Sequence, residues 1–122
     1  MLTIVVIEQD LVVRTLFCEW FAAETHRVRG LAELGSERDP EVDLVVVDLL
    51  NLPSQGRETV RQVARHYPNA GIVGTSTQLS RTLHSGSTLA RTLGVSRLIP
   101  KPCSRRDLLD AAAEAITTGA LR

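Results

Sequence analysis

Apolar residues cluster in short runs separated by polar, helix-patterned stretches. Thr3 to Ile7, Asp43 to Leu49 and Gly71 to Thr75 are rich in Val and Ile and do not alternate cleanly. Runs of that kind fit strands buried on both faces. Between them the period changes. Leu11 to Glu24 carries Val13, Phe17, Trp20 and Phe21 at helical spacing, and Glu58 to His66 carries Val60, Val63 and Ala64. Strands alternating with helices imply right-handed crossovers and a parallel sheet.

Two weaker strands complete the pattern. Arg27 to Ala32 is followed by Gly35, Ser36 and Asp39-Pro40, which leave room for only a short helix before Asp43. Ser96 to Pro100 reads as a fifth strand, and Pro100, which cannot donate a ladder hydrogen bond, suits a sheet edge. Ser104 with Asp107 resembles a capping box opening a last helix through Leu108, Leu109, Ala112 and Ile116. The expectation is five strands and about five helices, one of them short. Ser76 to Thr88, with Ser80, Ser85, Gly86 and Ser87, is polar enough to be partly loop.

The chain has 122 residues, the size of one domain able to bury its own core, so residues 1–122 are read as a single unit. Lys plus Arg balance Asp plus Glu at 14 each, which gives no global field toward nucleic acid or an acidic membrane. The apolar N-terminal run is cut off by Glu8 and Asp10 before it reaches signal or membrane-span length. Cys18 and Cys103 form no C-x-x-C pair and read as reduced core residues of a cytoplasmic protein. Arg57, Arg61 and Arg65 form a basic stripe read as a solvated face, and His26, His66 and His84 lack metal-ligand spacing. Gly30 and Gly35 are not followed by the Lys-Ser or Lys-Thr of a phosphate loop, and no G-x-S-x-G occurs.

Candidate chemistry gathers at the carboxyl ends of the proposed strands, where open parallel sheets place their ligands. Glu8-Gln9-Asp10 follows the first strand, Asp48 closes the third, Thr75-Ser76 the fourth, and Lys101 follows the fifth. Together they offer carboxylates and an amide oxygen for a hard cation, a hydroxyl donor and an ammonium. Those groups suit phosphoryl transfer to a carboxylate, in which positioning and charge neutralisation do most of the catalysis. Mg²⁺, which takes oxygen ligands and keeps several waters, is the cation of choice. Lys101 would neutralise one phosphoryl oxygen and Thr75 would donate to another. Asp10 also fits the N-cap of the first helix.

The segments Ile4 to Asp10, Asp43 to Asp48, Ile72 to Ser76 and Lys101-Pro102 resemble the response-regulator receiver family in order and spacing, over nearly the whole chain. The resemblance implies a doubly wound, flavodoxin-like sheet of order 2-1-3-4-5 with helices on both faces. It implies Asp48 as phosphoacceptor, Thr75 and Lys101 as phosphoryl-binding and switch residues, and Mg²⁺ held by Glu8, Gln9, Asp48 and the backbone carbonyl of Leu50. Ser76 and Asp10 are further candidates. A histidine kinase or histidine phosphotransfer protein would be the donor, and an unidentified protein the downstream partner. The output would be a switch, as monomer or homodimer, at the face of the fourth helix, fifth strand and fifth helix. No turnover enzyme, nucleic-acid contact or membrane contact is expected.

The sequence also departs from the family. Gln9 stands where a second acid is usual, which predicts a weaker metal site. Leu50 cannot hydrogen-bond a hydrolytic water, which predicts a slowly decaying phosphorylated state. Leu98 replaces the aromatic residue that commonly moves with the threonine, which predicts an altered readout, and Gly74 either admits a close neighbour or loosens its strand. The competing reading is a pseudo-receiver, a constitutive interaction module without phosphorylation. A domain cut from a larger regulator or hybrid kinase is a third.

Overall fold

The structure is a computed structural model and describes residues 1–50, 55–79, 82–83 and 87–120, with nothing said of the side chains of 118–120. Ser80, His84, Ser85 and Gly86, named above, lie outside the described residues. The strands are β1 (Thr3–Ile7), β2 (Arg27–Leu31), β3 (Leu44–Asp48), β4 (Gly71–Ser76) and β5 (Arg97–Pro100). The helices are α1 (Leu11–Ala23), α2 (Gly56–His66), α3 (Thr88–Leu93) and α4 (Arg105–Ala120). The five strands form one parallel sheet in the order β2-β1-β3-β4-β5.

The pleat divides the core in two. Val5, Ile7, Val45, Val47, Ile72 and Leu98 face Val60 and Val63 of α2 and Ala90 and Leu93 of α3. Ile4, Val6, Leu44, Val46, Val73 and Ile99 face Phe17 and Phe21 of α1 and Leu108, Ala111, Ala112 and Ala115 of α4. Covering both faces removes alternation from the central strands, as their sequences imply. β2 is half exposed, which explains its weaker signature. Cys18 and Cys103 are free, partly buried and packed against the second cluster.

The short helix expected before Asp43 is absent: residues 32–43 run as bends, turns and irregular chain. Local polar bonds satisfy the backbone there instead. The Asp39 carboxylate accepts the Glu41 amide at 3.0 Å, an Asx turn, and the Asp39 amide donates to the His66 carbonyl at 2.7 Å. Asn69 donates to the Pro40 carbonyl at 2.9 Å, tying the segment to the chain beyond α2. Leu34 packs on the core beside this segment.

α1 stops because Thr25 takes a left-handed conformation, φ 65°, and the His26 amide turns back to the Phe21 carbonyl at 3.3 Å. α4 starts where Ser104 accepts the Asp107 amide at 3.0 Å. β5 lies at the sheet edge, as Pro100 implies, but that edge is closed at one point. Leu83 forms an antiparallel bridge with Leu98, donating to its carbonyl at 2.7 Å and accepting its amide at 2.9 Å.

Candidate functional site

Strand register and pleat place the candidate residues. Ile7 pairs with Val47, so Glu8 lies beside Asp48, and Asp48 pairs directly with Thr75. Ile4 and Val6 on β1, Leu44 and Val46 on β3, Val73 on β4 and Ile99 on β5 all face α1 and α4. Two-residue alternation carries Glu8, Asp48, Thr75 and Lys101 to that same side at the carboxyl end of the sheet.

Contacts among them confirm the convergence. The Lys101 ammonium lies 3.1 Å from Asp48 Oδ1 and also donates a short hydrogen bond to Glu8 Oε1. The Glu8 side chain is 3% exposed and that of Asp48 8%. Backbone bonds fix the ends of this cluster. The Glu8 amide donates to the Leu31 carbonyl at 2.9 Å, its carbonyl accepts the Arg14 guanidinium at 2.8 Å, and the Lys101 amide donates to the Ser76 carbonyl at 3.0 Å. The Lys101-Pro102 peptide is cis. Burial pushes the Glu8 carboxyl up, Lys101 opposing and the Asp48 charge adding to the rise. Burial also pulls the Lys101 ammonium down, but its bonds to Glu8 and Asp48 outweigh this and hold it above the ordinary lysine value. Lys101 therefore keeps its positive charge at neutral pH.

The other candidates separate from this group. Gln9 is exposed and lines a groove of about 180 Å³ with Asp48, Leu50, Gln55 and Thr59. Asp10 caps α1, its carboxylate accepting the Val13 amide at 3.1 Å. Ser76 is fully buried and its hydroxyl accepts the Gln78 amide at 3.0 Å, which commits it to the turn after β4. Leu98 is fully buried against Gly74, where an added Cβ would lie 2.8 Å from Leu98 Cδ2 and 2.7 Å from Leu49 Cδ1. Gly74 thus admits close neighbours rather than loosening β4. Arg14, Gln55 and Thr59 were not singled out from sequence. Only the helical spacing of Thr59 from Val63 hinted that it shares the groove-facing side of α2.

The donor chemistry beside Asp48 fits a hydrated Mg²⁺. Asp48 shares its groove with Gln9, Leu50, Gln55 and Thr59, and a carboxylate with an amide oxygen suits a hard cation. Glu8 is different, because its buried carboxylate is already engaged by an ammonium. Among the described residues no three His, Cys, Asp or Glu side chains group as a metal cage.

This sheet order with helices on both faces is the fold of CheY-like receiver domains, and solved structures bear that out over nearly the full chain. A response regulator from Thermotoga maritima superposes with a TM-score of 0.74 at 16% identity, covering 96% of this chain and 98% of that one. A CheY-like response regulator receiver domain protein from Methanospirillum hungatei gives 0.72 at 17% identity, covering 99% and 98%. A response regulator receiver domain protein from Clostridium thermocellum gives 0.71 at 18% identity, covering 99% and 98%. No family model matches the sequence, and no curated protein is similar to it. At these identities the likeness establishes the fold. No helix among the described residues is long and apolar enough to cross a membrane.

Proposed function

We propose that the chain is a response-regulator receiver domain that accepts a phosphoryl group on Asp48 from a histidine kinase or histidine phosphotransfer protein and signals by protein contact. The observation that carries this reading is the ammonium of Lys101, 3.1 Å from an Asp48 carboxylate that also borders an open groove. In the transfer, an Asp48 oxygen forms a bond to phosphorus while the bond from phosphorus to the donor imidazole nitrogen breaks, and the imidazole leaves with the electron pair. Negative charge approaching a carboxylate needs neutralising, and Lys101 supplies a fixed positive charge at the acceptor. Thr75, buried and paired with Asp48 across the ladder, would donate its hydroxyl to a phosphoryl oxygen. Mg²⁺, when bound by Asp48, the Gln9 amide oxygen and the Leu50 carbonyl, would supply further charge neutralisation. The product is a signalling state rather than a released product, so the domain is not a turnover enzyme. Such a state acts by biasing an existing conformational equilibrium, in the cytoplasm by this reading.

The test is incubation of the full chain with Mg²⁺ and acetyl phosphate, read by intact mass, with Asp48→Asn as control. One phosphoryl group gained by wild type and none by Asp48→Asn supports the reading. An unmodified Asp48 refutes it and leaves the pseudo-receiver. The engagement of Lys101 by Glu8 is the observation that favours that second reading.

A further inference from the structure

We propose that this chain pairs with a second copy of itself through α2, the Arg57, Arg61 and Arg65 flank of each copy meeting the Glu33, Glu37 and Glu41 flank of the other. The pairing does not depend on phosphorylation of Asp48, and α2 lies outside the face around β5 that the family resemblance implies. The missing crossover helix sets the two flanks. Thr59 and Val63 line a groove with Ala32, Glu33 and Leu34, so residues 32–43 begin beside the first turns of α2. Bonds from the Asp39 amide to the His66 carbonyl and from Asn69 to the Pro40 carbonyl hold their far end beside its last turn. Arg57, Arg61 and Arg65 stand two residues from Thr59 or Val63, about 160° around the helix, and so line the opposite flank.

Charge selects the partner. Like charges four residues apart weaken a helix, yet the three arginines are all exposed, and among the described residues only Arg61 of the three has an acid, Glu58 at 3.4 Å. On the other flank Glu33, Glu37 and Glu41 are exposed and have no ion pair among the described residues, while Asp39 faces Arg29 at 3.7 Å. Counting Glu58 against the arginines leaves two positive charges on one flank. Counting Arg38 and the Arg29–Asp39 pair against the acids leaves two negative charges on the other. The whole chain is neutral, so the surface that best complements each flank is the opposite flank of another copy. A two-fold axis parallel to α2 brings the flanks together at two places at once, an isologous contact. The groove between them adds Leu34 and exposed Leu50, apolar surface that pairing removes from water.

Sedimentation velocity of the full chain at submillimolar concentration is expected to show a dimer. It should weaken at least about tenfold between about 0.1 M and about 1 M salt, as the Debye length falls from about 10 Å to about 3 Å. Arg61→Glu with Arg65→Glu should be monomeric, and so should Glu33→Arg with Glu37→Arg, because like charges then meet at both contacts. Mixing the two variants in equal amounts should restore a dimer, since both contacts are again complementary. A monomeric wild type, a dimer unmoved by salt or by either charge reversal, or a mixture that stays monomeric overturns the proposal. If a charge-reversed variant fails to fold, Arg61→Gln with Arg65→Gln and the wild-type salt series decide. A dimer weakened by both supports the α2 pairing, and one unmoved by either overturns it. Polyglutamate captured by a monomeric wild type assigns the arginines to an acidic partner and likewise overturns it.

Discussion

Gly74→Ala isolates the packing that holds Leu98 of β5 against β4. The new methyl would sit 2.7 Å from Leu49 Cδ1 and 2.8 Å from Leu98 Cδ2. Both leucines are essentially fully buried, at 1% and 0% exposure, so neither has free space into which to turn. Overpacking of this kind costs about 1–3 kcal/mol. Removing a glycine from a strand returns about 0.5–1 kcal/mol through the unfolded chain. The expected net loss is therefore about 1–2 kcal/mol, and for a chain of 122 residues that is a fall in Tm of about 4–8 °C.

Leu98→Ala alone should cost about 2–5 kcal/mol through the cavity it leaves. Combined with Gly74→Ala it should cost at least about 1 kcal/mol less than the two losses added, because one clash disappears and the alanine methyl enters the vacated space. Gly71→Ala serves as the control. Its methyl would meet the Ala115 backbone carbonyl of α4 at 2.7 Å, a contact that Leu98→Ala does not relieve, so that pair should be additive. Urea unfolding followed by the single tryptophan, Trp20, stacked on Phe17, gives all the values. Gly74→Ala as stable as wild type, or a strictly additive pair with Leu98→Ala, would refute the matched packing of Gly74 and Leu98.

Three other outcomes follow from the same structure. Thr25→Gly should stabilise the protein by up to about 1 kcal/mol, since a left-handed β-branched residue costs about 1–2 kcal/mol and glycine returns only part of that gain to the unfolded chain; a lower midpoint in urea would count against it. Leu50→Asn should speed the decay of phospho-Asp48 severalfold, because exposed Leu50 borders the acceptor groove without a group to hold water; wild type decaying faster than the variant would sink the idea. The Cys103 thiol is pushed up to about 11, chiefly by burial and then by Asp107. At pH 8 it should react with iodoacetamide about tenfold more slowly than a thiol titrating at the ordinary 9.0, since a smaller thiolate fraction is partly offset by greater nucleophilicity, and equal rates by mass spectrometry would contradict that burial. Because the folded state holds this proton more tightly than the unfolded chain, its contribution to stability falls as pH rises from 9 toward 11.

The regular elements were legible because their signals are local. Val- and Ile-rich runs marked β1, β3 and β4, and Phe17, Phe21, Val60 and Val63 marked the inward sides of α1 and α2. Pro100 announced an edge strand, and Asp10 and Ser104 announced helix starts, because caps and breakers act within a turn. The missing helix before Asp43 was not legible. It depends on bonds from the Asp39 amide to His66 and from Asn69 to Pro40, across chain separations that no local pattern encodes.

The sequence by itself determined which residues stand at the carboxyl ends of the strands, since each apolar run stops at a polar residue and the pleat follows from backbone geometry. That was enough to bring Glu8, Asp48, Thr75 and Lys101 onto one candidate list. Only the tertiary structure decided how they divide. Register set Asp48 against Thr75, burial forced Glu8 to take the Lys101 ammonium, the turn after β4 claimed Ser76, and the first turn of α1 claimed Asp10. The physical reason is that a buried charge must find its partner in space, and the partner of Glu8 lies 93 residues further along the chain.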